Sequence, residues 1–423
     1  MRLPVGDRQP SSNPPLIQWM WRLCVQWGVR YGAVGAIALS GVLSGMLMTP
    51  VARADQPDAF PPNPLDLTEP DPLLPELAVD RPLSPQERRV LTEALNQLQL
   101  QAQQTFNAGN IPGAIEIWNR ELRLRRVLGV SEEVPALSRV GEIAWRESQT
   151  TEVRLITERL QQIEQEELAK TPPSFEQLLL IADAYQKMRA IQPAIAAYNR
   201  ILLEAQQRGD RAIEQQSLLA LAEMHLAWFN YPESAAAYEQ LLTLVQGNMA
   251  LEIEYMGQLA YAYQLGNQLE AAIAVQQRLV RVYQQQQDYL RIAPIKINIG
   301  DNYLALDRPD LAAPSYQEAF SVARGTQQYG FAGDALQRLA TLYRSLSRWQ
   351  DALVVYQLLI DVEQQSYNTL GIMNAYDNIG QVHRQLGNTT QAIAAFRRGL
   401  QFAQELNYKI GYFNTQIQEL SQQ

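Results

Sequence analysis

Few side chains in this sequence have the types and spacing that catalysis requires. Glu147 and Ser148, in the stretch RESQTT, place a candidate general acid beside a hydroxyl. The two histidines, His225 and His383, are far apart, and neither lies in an HExxH pattern. The sequence also contains no glycine-rich phosphate loop and no GxSxG motif. These residues do not form a catalytic constellation, and we expect no metal and no cofactor.

Both histidines belong instead to a pattern that repeats about every 40 residues. A small residue is followed three positions later by a ring. Nine positions after that ring comes Ala or Ser, and four positions after the Ala or Ser comes a second ring. Only Gln276 departs strongly from this order. In chain order the small residues are Ala182, Ala222, Ala260, Gly300, Ala340 and Gly380; the first rings are Tyr185, His225, Tyr263, Tyr303, Tyr343 and His383; the Ala positions are Ala194, Ser234, Ala272, Ala312, Ala352 and Ala392; and the last positions are Tyr198, Tyr238, Gln276, Tyr316, Tyr356 and Phe396.

These spacings predict pairs of antiparallel helices. Residues three or four apart share one face of a helix, and the nine-residue interval contains a turn such as LGN or LDRPD. The small residue lets the second helix approach closely, and the rings fill the remaining space. Since one hairpin cannot bury its own apolar faces, hairpins must stack. We therefore expect an all-α solenoid of about eight hairpins over residues 84–406, clearest over 170–406, and a capping helix over 407–423.

The order small, ring, Ala, ring resembles the tetratricopeptide repeat superfamily over most of residues 90–406. A weaker copy begins near Ala102, and a degenerate copy lies near Gly141. The usual unit has about 34 residues. The longer unit here, with Asn298 and Asn378 two residues before the small position, is similar to the repeats of kinesin light chains and of Leu-Gly-Asn spindle-orientation adaptors. The resemblance implies a right-handed superhelix whose first helices line a concave groove that binds peptides or helices of partner proteins.

Carried over position by position, the resemblance places a set of polar and aromatic side chains in that groove. An amide could bond a partner's backbone, and an arginine could hold a carboxylate. The alternative is that these are ordinary solvated residues, although asparagine is a poor former of helix interiors. The early positions of this set are acidic, and the later positions include all three of its arginines. This order predicts a groove whose charge differs between its two ends. The positions are Glu176, Asp183, Glu223, Tyr261, Asn298, Asp301, Arg338, Arg344, Asp377, Asn378 and Arg384.

The first 54 residues have the pattern of an export signal. Arg22 and Arg30 precede the apolar run YGAVGAIALSGVLSGMLM, which leads to an Ala-Arg-Ala cleavage pattern ending at Ala54. We predict cleavage after Ala54 and export to a periplasm, or to the thylakoid lumen if the source is photosynthetic. The alternative is a retained anchor, because a run of about 18 apolar residues is only just long enough to span a bilayer. Cys24, the only cysteine, lies in this segment, so the mature chain would have no thiol chemistry.

Residues 55–83 are acidic and rich in proline and have no helical stripe, so we expect a linker. Ser84, Pro85 and Glu87 then follow the order of an N-cap, a first-turn proline and a capping box, which predicts the start of the first helix. The formal charge of the chain is -9. Because the first 54 residues carry five Arg and one Asp, their removal leaves a more negative chain, which argues against a nucleic-acid partner.

These observations predict a non-enzymatic scaffold that gathers peptides or helices of partner proteins. A role in assembling envelope or membrane complexes follows from the resemblance alone, and membrane contact is expected only through an uncleaved N-terminal segment. Two alternatives stay open. One is a cell-wall enzyme or accessory subunit similar to lytic transglycosylases, with Glu147 as the acid, although a GLMQ-type companion motif is missing. The other is a self-associating structural protein whose exposed ends pair.

Overall fold

The computed structural model describes residues 63–66, 70–74 and 81–422 of the chain. These residues belong to one compact unit that spans 62–423. The predicted export signal, residues 1–54, lies outside the described residues. Within the described part of the chain, every helix is too short or too polar to cross a bilayer.

The described residues form seventeen α-helices, and each helix packs against the next. Helices α1 to α16 make eight consecutive hairpins, and α17 packs on the last of them. The prediction of an all-α solenoid is therefore confirmed. Two short 3-10 helices, Arg126–Leu128 and Tyr289–Arg291, precede α3 and α11. The helices are α1 Pro85–Asn107, α2 Ile111–Arg125, α3 Val130–Arg146, α4 Thr150–Leu168, α5 Phe175–Lys187, α6 Ile191–Arg208, α7 Arg211–Ala227, α8 Tyr231–Leu244, α9 Met249–Leu265, α10 Leu269–Gln285, α11 Ile292–Ala305, α12 Pro309–Gly325, α13 Tyr329–Ser345, α14 Trp349–Gln365, α15 Thr369–Gln385, α16 Thr389–Glu405 and α17 Ile410–Ser421.

Helix α1 begins where its capping residues predict. The Ser84 hydroxyl accepts a hydrogen bond from the Glu87 N–H at 3.3 Å, and the Glu87 carboxylate accepts one from the Ser84 N–H at 2.7 Å. Pro85 occupies the first turn, so the predicted capping box is confirmed. Arg81 also binds the Glu87 carboxylate, and this pairing, with the two Ser84 bonds, lowers the pKa of Glu87 to about 2.

The small positions and the second rings form the packed seam between the helices of each hairpin. A Cβ atom on Gly300 would lie 2.4 Å from Cε1 of Tyr316, and one on Gly380 would lie 2.6 Å from Cε1 of Phe396. Only glycine lets a ring approach the first helix this closely. All six residues at the second-ring position are at most 4% exposed. The predicted packing role of these positions is confirmed.

The first rings are less buried than the sequence pattern predicts. Tyr185 and Tyr343 are buried, but the other four, including both histidines, are half-buried. The reason is visible at Tyr303, whose hydroxyl accepts a hydrogen bond from the amide of Gln277 at 3.2 Å on the neighbouring helix. Tyr263 and Tyr303 still pack against the buried clusters, so these two rings fill space between helices as predicted, while a ring with a polar tip can keep that tip at the surface.

Gln276, the departure from the second-ring position, belongs to a buried polar network. Its Oε1 accepts a hydrogen bond from Nδ2 of Asn302 at 3.0 Å, and Oδ1 of Asn302 accepts one from Nε2 of Gln264, also at 3.0 Å. Gln276 and Asn302 are both buried. The amides satisfy one another and join α9, α10 and α11, which explains why an amide can replace a ring here.

The second hairpin, α3 and α4, departs from the repeat pattern and is held in part by buried charges. Gly141 faces Met188, since a Cβ atom on Gly141 would lie 2.5 Å from the methionine sulfur. Arg159 donates to the Glu133 carboxylate at 2.6 Å, and both residues are buried. Removing one partner would leave an unpaired buried charge, so each of these two residues depends on the other.

Part of the predicted linker, residues 55–83, lies against the first hairpin. Leu65 is 2% exposed and belongs to the core of the first repeats. Leu73 and Leu74 pack on a cluster of buried leucines from α1, α2 and the 3-10 helix that follows α2. The prolines of the segment predict a linker, but the leucines between them dock part of it on the first hairpin.

Candidate functional site

Hydrogen bonds between polar side chains join the odd-numbered helices of successive hairpins. We call this set of hydrogen-bonded side chains the inner row. These contacts connect neighbouring hairpins along most of the array. The inner row consists of Gln177 to Ser131 at 3.0 Å, Gln215 to Tyr255 at 3.0 Å, Gln264 to Asn302 at 3.0 Å, Arg338 to Asp301 at 2.7 Å, Arg344 to Asn378 at 2.6 Å, Tyr412 to Asp377 at 2.8 Å and Arg384 to Gln416 at 2.7 Å.

Two predicted site residues, Asp301 and Arg338, bind each other. Nη1 of Arg338 lies 2.7 Å from Oδ1 of Asp301, and the Tyr316 hydroxyl donates to the same oxygen at 2.7 Å. Burial and then the bond to Asp301 raise the pKa of Tyr316, which keeps the hydroxyl protonated as a donor. Asp301 thus links the buried ring of α12 to the exposed arginine of α13.

Asn378 has a structural partner for both ends of its amide. Its Oδ1 accepts a hydrogen bond from Arg344 at 2.6 Å, and its Nδ2 donates to the backbone carbonyl of Asn374 at 2.9 Å. The bond to the preceding turn explains how this asparagine is accommodated in the middle of a helix. A role for Asn378 in binding a partner stays a prediction, and it would require one of these bonds to be exchanged.

Asp377 and Arg384, also predicted site residues, both contact α17. The Tyr412 hydroxyl donates to Asp377 at 2.8 Å, and Nη1 of Arg384 donates to Gln416 at 2.7 Å. Burial and then the bond to Asp377 raise the pKa of Tyr412 to about 12. The terminal helix is therefore fastened to α15 by the same kind of contact that joins the hairpins.

Tyr261 and Asn298 are exposed, and no hydrogen bond joins either side chain to another described residue. They are the two predicted groove positions of the C-terminal half that keep their bonding groups free. Among the early acidic positions, Asp183 pairs with Lys187 at 2.7 Å within one helix. Glu223 is exposed overall, yet desolvation by neighbouring atoms and then the nearby charge of Glu254 raise the pKa of its carboxyl.

An opening with a volume of about 390 Å³ lies between α13 and α15. Of the predicted site residues, only Asp377 and Asn378 line it. The side chains of Asp334 and Asn374 line it as well and make no hydrogen bond to another described side chain. The complete lining is Gly333, Asp334, Gln337, Glu363, Asn368, Leu370, Gly371, Asn374, Asp377 and Asn378.

Five polar lining residues were not predicted from the sequence, although the repeat contains a signal for most of them; they are Asp334, Gln337, Glu363, Asn368 and Asn374. Asp334 and Asn374 both stand six residues before a small position, and Gln337 stands three residues before one, as Asp377 does. These positions share a helical face with Asn378, which stands two residues before its own small position. Extending the comparison of repeats by one helical turn would have placed them in the groove.

Glu363, another residue that was not predicted, enters the opening from α14 between two glycines. A Cβ atom on Gly333 would lie 3.0 Å from Oε1 of Glu363, and one on Gly371 would lie 2.5 Å from its Cδ. The Ser366 hydroxyl donates to Oε2 at 3.2 Å. The two glycines leave the space that this carboxylate occupies, and no repeat position before the small residue could have indicated it.

The charge of this opening differs from the predicted polarity. Carboxylates of Asp334, Glu363 and Asp377 line it, whereas Arg338 and Arg344 are bound to acceptors on neighbouring helices. The expected basic character of the later groove therefore does not describe the opening, since a count of arginines along the sequence does not show which of them are already paired.

Glu147, the candidate acid, terminates α3 beside a small cavity. The cavity has a volume of about 10 Å³ and apolar walls that include Phe106 and Trp118. A volume of about 10 to 15 Å³ accommodates a single water molecule and not a sugar ring. Glu152 also lines the cavity, and burial raises the pKa of this carboxyl. This cavity beside Glu147 is too small for a glycan.

The two histidines lie four repeats apart, on α7 and α15. Burial lowers the pKa of both His225 and His383, which favours the neutral ring. Within residues 63–66, 70–74 and 81–422, acidic, histidine and cysteine side chains form no group of three or more that could hold a metal ion.

Residues 332–405, which span most of α13 to α16, match the family model described as tetratricopeptide repeat. This part of the all-α solenoid therefore matches tetratricopeptide repeats. No curated protein matches the sequence.

Several solved structures resemble this chain at low identity. BtubC from P. vanneervenii has 17% identity over 52% of this chain and 92% of that chain, with a TM-score of 0.36. Aspartyl phosphate phosphatase F from Bacillus subtilis has 15% identity over 68% and 82%, with a TM-score of 0.38. The repeats of a putative kinesin light chain from Podosopora anserina have 13% identity over 45% and 96%, with a TM-score of 0.36.

Proposed function

We propose that this protein is a non-enzymatic scaffold that binds segments of partner proteins along the inner row. Tetratricopeptide solenoids in general serve protein binding, which supports the class of function. The observation that carries the proposal for this chain is the opening between α13 and α15, where the Asp334 and Asn374 side chains have bonding capacity that the fold does not use.

The chemistry of the opening favours an extended segment that carries positive charge. The amides of Gln337 and Asn374 can donate to and accept from a peptide backbone, while the carboxylates accept from backbone N–H groups or from a Lys or Arg side chain. A volume of about 390 Å³ lies within the range of small ligand pockets, so it suits a few residues of a longer segment.

The inner row prepares this surface for binding. The bond from Arg344 to Asn378 fixes the spacing of α13 and α15 before any partner arrives. A receptor that is already ordered loses little conformational freedom on binding, so more of the contact energy is available as affinity.

We further propose that the mature chain acts outside the cytoplasm, after cleavage at Ala54, with the repeat array following the docked linker segment. The basic leader, the apolar run and the Ala-Arg-Ala pattern support this part of the proposal. N-terminal sequencing of the protein recovered from its source tests it: a start at Asp55 is expected, and a start at Met1 would contradict it.

Site-specific photo-cross-linking tests the groove proposal. A photoreactive residue replaces Asn374 in the opening, and the matched control replaces Val354, which is 62% exposed on α14. We expect adducts with a defined polypeptide segment from position 374, and a synthetic copy of that segment should bind the wild-type chain. Equal adducts from both positions would contradict the proposal. Adducts with a second copy of this chain would favour the self-associating alternative.

A further inference from the structure

Residues 63–66 and 70–74, which we call the strap, contain two turns of the same build. Each turn has the sequence Asx-Pro-Leu, and they begin at Asn63 and Asp71. In each, the Asx side chain accepts a hydrogen bond from the leucine N–H two residues later, at 2.9 and 3.0 Å. The Asx carbonyl accepts one from the N–H three residues later, at 3.0 and 2.9 Å. Proline at the second position of such a turn pre-sets its backbone, so the sequence encodes the same recognition element twice.

Three arginines spaced three residues apart on the first hairpin hold these turns. Nε and Nη2 of Arg120 donate to the two carboxylate oxygens of Asp71 at 2.8 and 2.9 Å. Arg123 and Arg126 donate to successive carbonyl oxygens of the first turn, at 2.7 and 3.0 Å. The Arg120 hydrogen bond is the largest cause that lowers the pKa of Asp71, so the carboxylate stays ionised. The bidentate geometry distinguishes an acidic turn from a neutral one.

The leucine of each turn adds an apolar contact beneath the arginines. Leu65 is buried with the core of the first repeats, and Leu73 packs on the buried cluster that contains Leu91 and Leu95 of α1. The surface therefore contacts three features of each turn. The arginines bind a carboxylate or a carbonyl oxygen, proline sets the shape of the turn, and the leucine packs in an apolar site. A segment that only crossed this surface by chance would not repeat the same turn at both arginine positions.

We propose that the surface of the first hairpin formed by Arg120, Arg123 and Arg126, with the leucines beneath them, is a binding site for acidic Asx-Pro-Leu turns. In this structure the chain's own strap fills it. A partner segment of the same chemistry takes the site only when the strap leaves, so the strap is an internal competitor. The site is separate from the opening between α13 and α15 and does not depend on the function proposed for it.

The tether explains why the strap normally occupies the site. A segment that belongs to the same chain has an effective concentration of about millimolar when few residues separate it from its site, whereas a free peptide at micromolar concentration is about a thousandfold more dilute. A free segment with the same contacts therefore binds the wild-type chain only weakly. Weakening the contacts of the strap removes this disadvantage and exposes the arginines.

A labelled synthetic peptide with the sequence of residues 62–74 tests the proposal by fluorescence anisotropy with the full chain. The strap is released by the double substitution Leu65→Ser and Asp71→Ala. We expect the peptide to bind this variant at least tenfold more tightly than the wild-type chain. Adding Arg120→Ala to the released variant should weaken peptide binding at least tenfold. A peptide with serine in place of the leucines at positions 65 and 73 is the matched control and should not bind.

A folded released variant that fails to bind the peptide would overturn the proposal. The proposal would also fail if Arg120→Ala left the affinity unchanged and the control peptide bound as tightly as the original peptide. Should the released variant not fold, hydrogen exchange on the wild-type chain decides the question. Excess peptide should speed exchange at the N–H groups of Leu65 and Leu73, because both are protected in the strap turns. Unchanged exchange at saturating peptide would reject the site.

Discussion

Gly300→Ala tests the packing of the repeat more sharply than removal of a ring. The added Cβ atom would lie 2.4 Å from Cε1 of Tyr316 and within 2.9 Å of two further ring atoms. The ring has little freedom to move, since Tyr316 is fully buried and its hydroxyl is bound to Asp301 at 2.7 Å. The contact must therefore be relieved by a shift of α11 away from α12.

The expected magnitude combines two opposing effects. Overpacking a well-packed site costs about 1 to 3 kcal/mol of unfolding free energy. Replacing glycine by alanine inside a helix returns about 0.5 to 1 kcal/mol. We therefore expect Gly300→Ala to destabilise the protein by about 1 to 2 kcal/mol, with the loss concentrated in α11 and α12.

The matched control is Gly257→Ala in the middle of α9. Gly257 is exposed, and a Cβ atom there meets no other atom within 4 Å. This substitution should stabilise the protein by about 0.5 to 1 kcal/mol, because only the helix preference changes. Urea unfolding followed by circular dichroism measures both variants. If Gly300→Ala stabilised the chain as much as Gly257→Ala, the ring of α12 would not be packed on the backbone of α11, and the reasoning would fail.

Three further outcomes follow from burial and charge. Tyr316→Ala should cost about 3 to 5 kcal/mol and Tyr303→Ala clearly less, since of the two only Tyr316 is fully buried; equal losses in urea unfolding would contradict this. Burial raises the pKa of Glu152. The stability that this carboxyl contributes is therefore present below its unfolded pKa and is lost as the pH rises through its folded pKa. Glu152→Gln should raise the melting temperature at pH 7.5 but not at pH 4, and equal shifts at both pH values would refute the assignment. Arg338→Ala should change the unfolding free energy by less than about 1 kcal/mol, because its pair with Asp301 is largely exposed, and a larger loss would show that the inner row stabilises the array.

Much of the fold could be predicted because one short pattern is repeated. The spacing of Gly300 and Tyr316 is a local consequence of helix geometry, and it returns in each clear copy with the same physical meaning. The cap at Ser84 is equally local. Features that depend on partners distant in sequence were not predicted: the network of Gln276 and Asn302, and the docking of Leu65, each require knowledge of which helices meet.

The candidate site was predicted less completely for the same reason. Repeat position indicates which side chains share a helical face, but it does not show that Arg344 is already bound to Asn378. Nor does it show that Glu363 reaches the opening from the other helix of the hairpin, through the space left by Gly333. The polar groups left free, at Asp334 and Asn374, become visible only after the internal partners have been assigned.

Calorimetric titration of the segment identified by cross-linking at position 374 tests the central claim most directly. Each lost hydrogen bond is worth about 0.5 to 1.5 kcal/mol, and about 1.4 kcal/mol corresponds to tenfold in affinity. The double substitution Asp334→Ala and Asn374→Ala should therefore weaken binding about tenfold, while Val354→Ala on the other side of the hairpin should bind as the wild type does. Equal affinity for all three proteins would contradict a binding surface between α13 and α15.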